Sequence, residues 1–284
     1  MHILLVGAGY VGMALLGSWE NPKDHFFATT TTEGKVQELQ SYSLVEKTHV
    51  IKITESSDLE IFLDECDAVI FTIAPKKDSN YIETYLATAL AFSKALKNRK
   101  KPLFVLYTSS TSVYGNQKGA LVEETSTRMP LSETSKILSE VEDIFLSCVN
   151  PKVEVCILRL GGIYGPRRTL EDRAIKMSKK NLLGCGQEAT NHIHLEDITG
   201  AIEFCIKNRL KGVYNLVNDA HPSRKQLYEH ICARLKISPP NWECEDGARR
   251  VTDVIVSNKK IKQCGYTFKY PNLPFSMGDE NLIK

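Results

Sequence analysis

The chain of 284 residues has no Cys-x-x-Cys pair, no apolar run long enough to cross a bilayer, and almost no net charge. Each absence removes a class of function. With 36 Lys and Arg against 34 Asp and Glu, nothing global attracts nucleic acid or an anionic membrane, so neither is expected as a partner. The densest basic run, Lys97-Asn-Arg99-Lys100-Lys101, ends a predicted helix just before Pro102, where cations favour the helix dipole. It reads as a solvated terminus. Eight cysteines, at 66, 148, 156, 185, 205, 232, 244 and 264, lie mostly in apolar stretches without redox or metal-ligand spacing, and read as reduced packing residues. No signal-like segment stands before the first predicted strand. The expectation is a soluble protein of a reducing, cytoplasmic compartment, without repeats or a low-complexity linker.

What the chain does have begins at its start. Ile3-Leu-Leu-Val-Gly7-Ala-Gly9-Tyr-Val-Gly12 reads as a strand buried on both faces running into a glycine-rich turn, and Met13, Ala14, Leu15 and Leu16 continue as a helix. In that context Gly7 makes the tight turn, Gly9 lets backbone approach a pyrophosphate, and Gly12 lets helix pack on strand. The helix N-terminus then faces the negative charge. A dinucleotide site is therefore expected here.

Alternation of strand and helix continues down the chain and predicts an α/β fold, a Rossmann-type doubly wound parallel sheet. His25-Phe-Phe-Ala-Thr29 is a second strand, and Val50-Ile-Lys-Ile53 a short third one. A helix over 57–65 and a fourth strand at Ala68-Val-Ile-Phe-Thr-Ile-Ala74-Pro75 follow. Asn80 with Glu83 forms a capping box for a helix to Lys97, and Leu103-Phe-Val-Leu-Tyr107 is the fifth strand. The end of the second strand normally meets the adenosine ribose, where an acidic residue excludes a 2′-phosphate. Here Thr29-Thr-Thr-Thr32 and Lys35 stand instead, with Glu33 displaced, so NADP is slightly favoured over NAD.

Three later stretches carry hydroxyls and charges. Thr108-Ser-Ser110-Thr-Ser-Val-Tyr114-Gly115 leaves the fifth strand where open α/β sheets bind ligands, or else is a turn capping the next segment. Ser132 and Lys136 open an amphipathic helix four residues apart, on one face, where an ammonium reaches a ribose or a reacting oxygen. The alternative is Ser132 as N-cap and Lys136 as a solvated charge. A sixth strand, Val153 to Gly162, empties into Ile163-Tyr-Gly-Pro-Arg-Arg168, either an anion-binding loop or an ordinary turn. His192 and His194 share a strand face without a third ligand at fixed spacing, so no metal is expected, and Asp197 reads as the cap of a helix over 198–207. A late strand at Gly212-Val-Tyr-Asn-Leu-Val217 and a helix over 226–235 complete the pattern.

In this order the stretches resemble the extended short-chain dehydrogenase/reductase superfamily, in its NAD(P)-dependent epimerase/dehydratase branch. The resemblance rests on the glycine loop, Ser109-Ser110 with Tyr114-Gly115, Ser135-Lys136 with Glu140, Leu158-Arg159-Leu160, Ile163-Tyr164-Gly165-Pro166, Ile193-His194 with Asp197, and Tyr214-Asn215. It implies a Rossmann core over 1–162 and a smaller substrate lobe over 163–284 with segments returning to the core. It further implies that Gly7, Gly9, Tyr10, Val11 and Gly12 hold pyrophosphate and that Thr30, Thr31 and Lys35 meet the adenosine ribose. Ile73 and Ala74 would flank the cofactor, Lys136 would reach the nicotinamide ribose, and Gly162 and Ile163 would lie by the carboxamide.

The family's catalytic set is a serine or threonine, a tyrosine and a lysine, the tyrosine exchanging the hydroxyl proton during hydride transfer. Ser110 and Lys136 fall on two of these positions; the tyrosine position, four before the lysine, is Ser132. An alcohol is a far weaker acid than a phenol, so another phenol, Tyr114, Tyr164 or Tyr81, is the candidate donor, or else each of these is a packing residue. The loop is GxGxxG rather than the family's usual GxxGxxG, and Gly162 replaces a frequent asparagine, as in atypical members. The expected function is an oxidoreductase or epimerase on a small polar or sugar-like substrate, working as monomer or homodimer. The alternative is a catalytically silent NAD(P)-binding regulator or partner protein.

Overall fold

The computed structural model describes residues 1–75, 80–244 and 251–274. It is an α/β protein of Rossmann type. The strands of its central sheet are β1 (His2–Val6), β2 (His25–Thr30), β3 (Val45–Val50), β4 (Ala68–Phe71), β5 (Leu103–Ser110), β6 (Val153–Leu160) and β7 (Gly212–Leu216). Their order in space is β7-β6-β5-β4-β1-β2-β3. The pairings of β1 with β2 and β4, of β2 with β3 and of β4 with β5 are parallel. Helices α1 (Tyr10–Ser18), α2 (Val36–Gln40), α3 (Ser57–Leu63), α4 (Ala87–Ala95), α5 (Glu133–Ser147) and α6 (Leu195–Lys207) intervene. No helix among the described residues is long and apolar enough to cross a membrane.

The continuous apolar runs explain the central strands. Ile3, Leu4 and Leu5 are fully buried, as a strand covered on both faces requires, and so are Val69, Ile70 and Phe71 beside them. Phe71 packs against Phe92 of α4 and Phe145 of α5 at ring distances of 5.0 and 4.9 Å, and Tyr107 of β5 stacks on Phe145 at 4.7 Å. The amphipathic stripe of α5 is thereby accounted for.

Several elements differ from expectation, among them the sixth strand, which ends at Leu160 rather than Gly162. The third strand is Val45–Val50 rather than residues 50–53, because β3 is an edge strand whose partly exposed residues need no apolar run. The helix expected from Asn80 to Lys97 is instead a π-helical turn at Ile82–Leu86, then α4, then a 3-10 turn at Leu96–Asn98. The Asn80 side chain does accept a bond from the Ile82 amide, at 2.9 Å.

The chain divides into two compact units: Met1–Ser110, Ser132–Arg159 and Ile198–Tyr214 in the first, and Thr111–Leu131, Leu160–Asp197 and Asn215–Lys284 in the second. In the second unit Gly162–Tyr164 pairs in parallel with His192–His194, and Asn181–Leu183 with Asn241–Glu243. A core of Tyr164, Leu170, Leu227, Ile231 and Leu273 is buried beneath them. Cys185 and Cys244, 59 residues apart, are joined as a disulfide in this unit. That corrects the reading of all eight cysteines as reduced, since a bridge across so long a separation leaves no spacing signal. The others are free thiols, all buried except Cys264.

Candidate functional site

A cavity of about 610 Å³ opens in the first unit at the carboxyl ends of β1, β2, β3 and β4. Its walls come from Val6 to Gly9, Thr29 to Thr32 with Lys35, Val50 to Ile53, and Thr72 to Ala74, one stretch after each strand. β1 and β4 are neighbours although β2 and β3 separate them in sequence, so the strand order reverses there. Open α/β sheets bind ligands at such a switch point.

The glycine loop is built by backbone and threonine bonds. The Gly7 amide donates to Thr29 Oγ1 at 3.1 Å, the Thr29 hydroxyl donates to the Leu5 carbonyl, and Thr72 Oγ1 donates to the Gly7 carbonyl at 2.8 Å. Gly7 has φ +92°, and a Cβ there would lie 2.8 Å from Ile73 Cγ2 and 2.9 Å from its Cα. A Cβ on Gly12 would lie 2.8 Å from both the Gly7 carbonyl oxygen and Thr72 Oγ1, so loop and helix meet only because both residues are glycine. A Cβ on Gly9 would meet only the Gly7 carbonyl oxygen, at 3.9 Å. The polypeptide itself therefore leaves space at Gly9. Gly9 is also the N-cap of α1, with no side-chain cap and no acidic residue in the first turn. Lys35 reaches back to the loop, its Nζ donating to the Ala8 carbonyl at 3.3 Å.

Of the residues singled out in the sequence, Gly7, Gly9, Thr30, Thr31, Lys35, Ile73 and Ala74 line this cavity. Tyr10, Val11 and Gly12 stand in the first turn of α1 outside the lining, Val11 and Gly12 among its buried residues. The sequence reading did not assign Lys52, Thr72, Glu83, Thr84 or Thr88 to the site. Lys52 was hidden by extending the third strand through it. Its Nζ pairs with Glu83 Oε2 at 2.6 Å.

Ser110, Ser132 and Lys136 belong to the first unit but not to this lining. Ser109 turns its hydroxyl to the buried carboxylate of Glu142, Oγ to Oε1 2.6 Å, so strand alternation directs Ser110 to the opposite face of β5. Glu142 is held in turn by Arg159, with Nε at 3.0 Å from Oε1 and Nη2 at 2.7 Å from Oε2. Ser132 is the N-cap of α5 in a reciprocal box: its Oγ accepts from the Ser135 amide at 3.1 Å, and Ser135 Oγ accepts from the Ser132 amide at 3.0 Å. Lys136 Nζ pairs with Glu133 at 2.6 Å in the open.

All but one of the remaining candidates lie in the second unit. Tyr114 is fully buried, and its hydroxyl donates to Asn215 Oδ1 at 2.7 Å. Tyr164 is buried too, which pushes its phenol up to about 12. Gly162 and Ile163 are half-buried on the short strand beside His192 and Ile193. Asp197 does not cap the helix. It sits inside the first turn of α6, buried, where its carboxylate accepts the backbone amides of Lys269 and Tyr270 at 2.6 and 3.0 Å. Tyr81, in the first unit, packs its ring 5.3 Å from that of Tyr85.

Among the described residues no group of three or more His, Cys, Asp and Glu is arranged to hold a metal ion. His192 is buried, and Arg173 Nη1 lies 3.3 Å from its Nε2. A guanidinium only donates, so Nε2 accepts and the proton sits on Nδ1, which has no partner among the described residues. Burial, reinforced by the charges of Arg173 and His221, pushes the imidazole down from 6.5 to about 3. In the unfolded chain this group protonates near pH 6.5, so its contribution to stability is complete above that value and is lost as pH falls towards 3. Acidification to about pH 5 should remove about 2 kcal/mol through this one residue. Urea unfolding across that range is expected to show a shallower pH dependence for His192→Gln than for the parent; equal slopes would refute the assignment.

Residues 3–217 match the model of the NAD dependent epimerase/dehydratase family. Over 278 residues the chain is 28% identical to Protein YeeZ of Escherichia coli K12, spanning 95% of this chain and 96% of that protein. Among solved structures it is similar to UDP-glucuronic acid 4-epimerase from Bacillus cereus in complex with UDP-glucuronic acid and NAD. That match has a TM-score of 0.78 at 19% identity, over 97% of this chain and 95% of the other. dTDP-glucose 4,6-dehydratase from Bacillus anthracis in complex with NAD gives 0.77 at 20% identity, over 95% and 92%. At these identities the two structures bear on the fold.

Proposed function

Since this chain belongs to the NAD dependent epimerase/dehydratase family, we propose that its switch-point cavity holds the adenosine and pyrophosphate portions of NAD(P) and that the protein is an oxidoreductase or epimerase on a small polar or sugar-like substrate. The observation that carries the reading is the coincidence of the cavity with the glycine loop: Gly7 and Gly12 are demanded by the fold, whereas the space at Gly9 is left for something else. The uncapped N-terminus of α1 suits a pyrophosphate there. Thr30, Thr31 and Lys35 offer hydroxyls and an ammonium to the ribose, without a carboxylate at the end of β2 to repel a 2′-phosphate, which favours NADP slightly. The NAD held by the Bacillus cereus epimerase supports a dinucleotide of this class.

When bound, the nicotinamide ring accepts or returns a hydride. Ser110, at the end of β5, is the group we assign to hydrogen-bond the reacting oxygen, and Lys136 the one that would leave Glu133 for the nicotinamide ribose.

One observation favours a second reading, a cofactor-binding regulator without turnover. Ser132, which the resemblance puts at the family's tyrosine position, spends its hydroxyl on capping α5. Purified protein should quench in fluorescence on titration with NADPH and NADH, followed by absorbance loss at the reduced nicotinamide on a panel of carbonyl compounds and nucleotide sugars. Binding without turnover on the panel favours the regulator. Binding of neither nucleotide refutes both readings.

A further inference from the structure

The cavity contains an ion pair that the glycine-loop reading does not use. Lys52 and Glu83 both line it, and their side chains, each more than half exposed, meet at 2.6 Å. Lys52 arrives from the strand side. Val50 is the partner of Thr30 in the parallel register of β3 and β2, and the Ile51 amide donates to the Thr30 carbonyl at 2.8 Å. Two residues past Val50, Lys52 therefore emerges beside the threonine run, the end of β2 that in this fold faces the adenosine ribose. Glu83 arrives from the π-helical turn Ile82–Leu86, a rare local geometry that is concentrated at functional sites. Lys35 lines the same cavity from the segment after β2.

Resting on the reading of the cavity as an NAD(P) site, we propose that the Lys52–Glu83 pair decides between NADP and NAD. Lys52 is a second ammonium, with Lys35, for the 2′-phosphate; Glu83 opposes that phosphate by holding Lys52 and by keeping a carboxylate nearby. An exposed pair of this kind contributes little to folding, so Lys52 changes partner at small energetic cost. A phosphate dianion is the stronger competitor, since it carries more charge than a carboxylate and more acceptor oxygens. A free ribose hydroxyl has neither, so NAD leaves the pair intact. Selectivity is then a balance between two groups rather than the presence of one acidic residue.

The test reads the ratio of NADPH to NADH affinity by fluorescence titration of the full chain, which makes it independent of the parent's own preference. Lys52→Met is expected to lower that ratio about tenfold, the loss of one charge-assisted contact made only to the 2′-phosphate. Lys52→Arg should keep it, and Glu83→Gln should raise it by freeing the lysine and removing the opposing charge. With Lys52→Met already present, Glu83→Gln should give a smaller rise. An unchanged ratio in Lys52→Met, or a lowered one in Glu83→Gln, overturns the proposal while leaving the cavity assignment standing. A parent that binds neither nucleotide overturns the cavity assignment itself, and the proposal with it. Both side chains are largely exposed, so the variants should melt with the parent, and coincident thermal transitions check that each is folded.

Discussion

Replacement of Arg159 by methionine is expected to destabilise the protein by about 3–5 kcal/mol, the usual consequence of stripping a buried carboxylate of its cation. The carboxylate is that of Glu142, whose side chain is fully buried, and Arg159 is 4% exposed. In the first unit these two residues and Ser109 tie three elements together: β6 through Arg159, α5 through Glu142, and the carboxyl end of β5 through Ser109. The desolvation of two charges offsets most of their attraction, so the intact pair is not a large source of stability; only the orphaned ion is expensive. That asymmetry gives the control. Arg159→Met combined with Glu142→Gln leaves a neutral amide whose oxygen still accepts the Ser109 hydroxyl, and should recover most of the loss. Urea unfolding measures both. A single variant that loses less than about 1 kcal/mol would mean that water reaches the carboxylate and that the triad does not hold β5 against α5.

This triad also marks the limit of what the sequence disclosed. β1, β4 and β5 were legible because a strand buried on both faces must be a continuous apolar run, and the glycine loop because its spacing follows such a strand. Glu142 left a fainter signal. It stands four after Leu138 and three before Phe145, on the same buried stripe of α5, and a carboxylate there implies a cation on the facing strand. Arg159, in the apolar second half of β6, is that cation. Either charge alone reads as noise, and the pair is visible only when helix and strand are set face to face.

The cavity residues divide in the same way. Thr30 ends a strand with a clear limit and Thr31 and Lys35 follow it, whereas Lys52 follows an edge strand whose mixed composition concealed where it stops. Ser132 and Lys136 share a helical face as their spacing required, but one turn of sequence could not say whether the hydroxyl points to a ligand or to its own helix. The bond to the Ser135 amide comes from the backbone's need to satisfy its first N–H groups. The Cys185–Cys244 bridge, with no local pattern at all, depended wholly on the fold.

The two glycines separate what the fold requires from what a ligand requires, and substitution at each should fail differently. In Gly12→Ala the new methyl group would lie 2.8 Å from the Gly7 carbonyl oxygen and from Thr72 Oγ1. Helix α1 must then lift from the strand, and stability should fall by about 1–3 kcal/mol, the range for overpacking a close contact. Gly9→Ala meets nothing nearer than 3.9 Å, and its φ of −93° lies outside the left-handed region. Its melting temperature should stay near the parent's. If a pyrophosphate approaches that backbone, the same methyl group occupies its place, and a clash of about 1–3 kcal/mol lowers dinucleotide affinity roughly 5- to 150-fold. Thermal melts and nucleotide titrations on the two variants make the comparison: Gly12→Ala should lose stability and binding together, Gly9→Ala binding alone. Unaltered affinity in Gly9→Ala would mean that no ligand backs onto the loop, and the space at Gly9 would then belong to solvent.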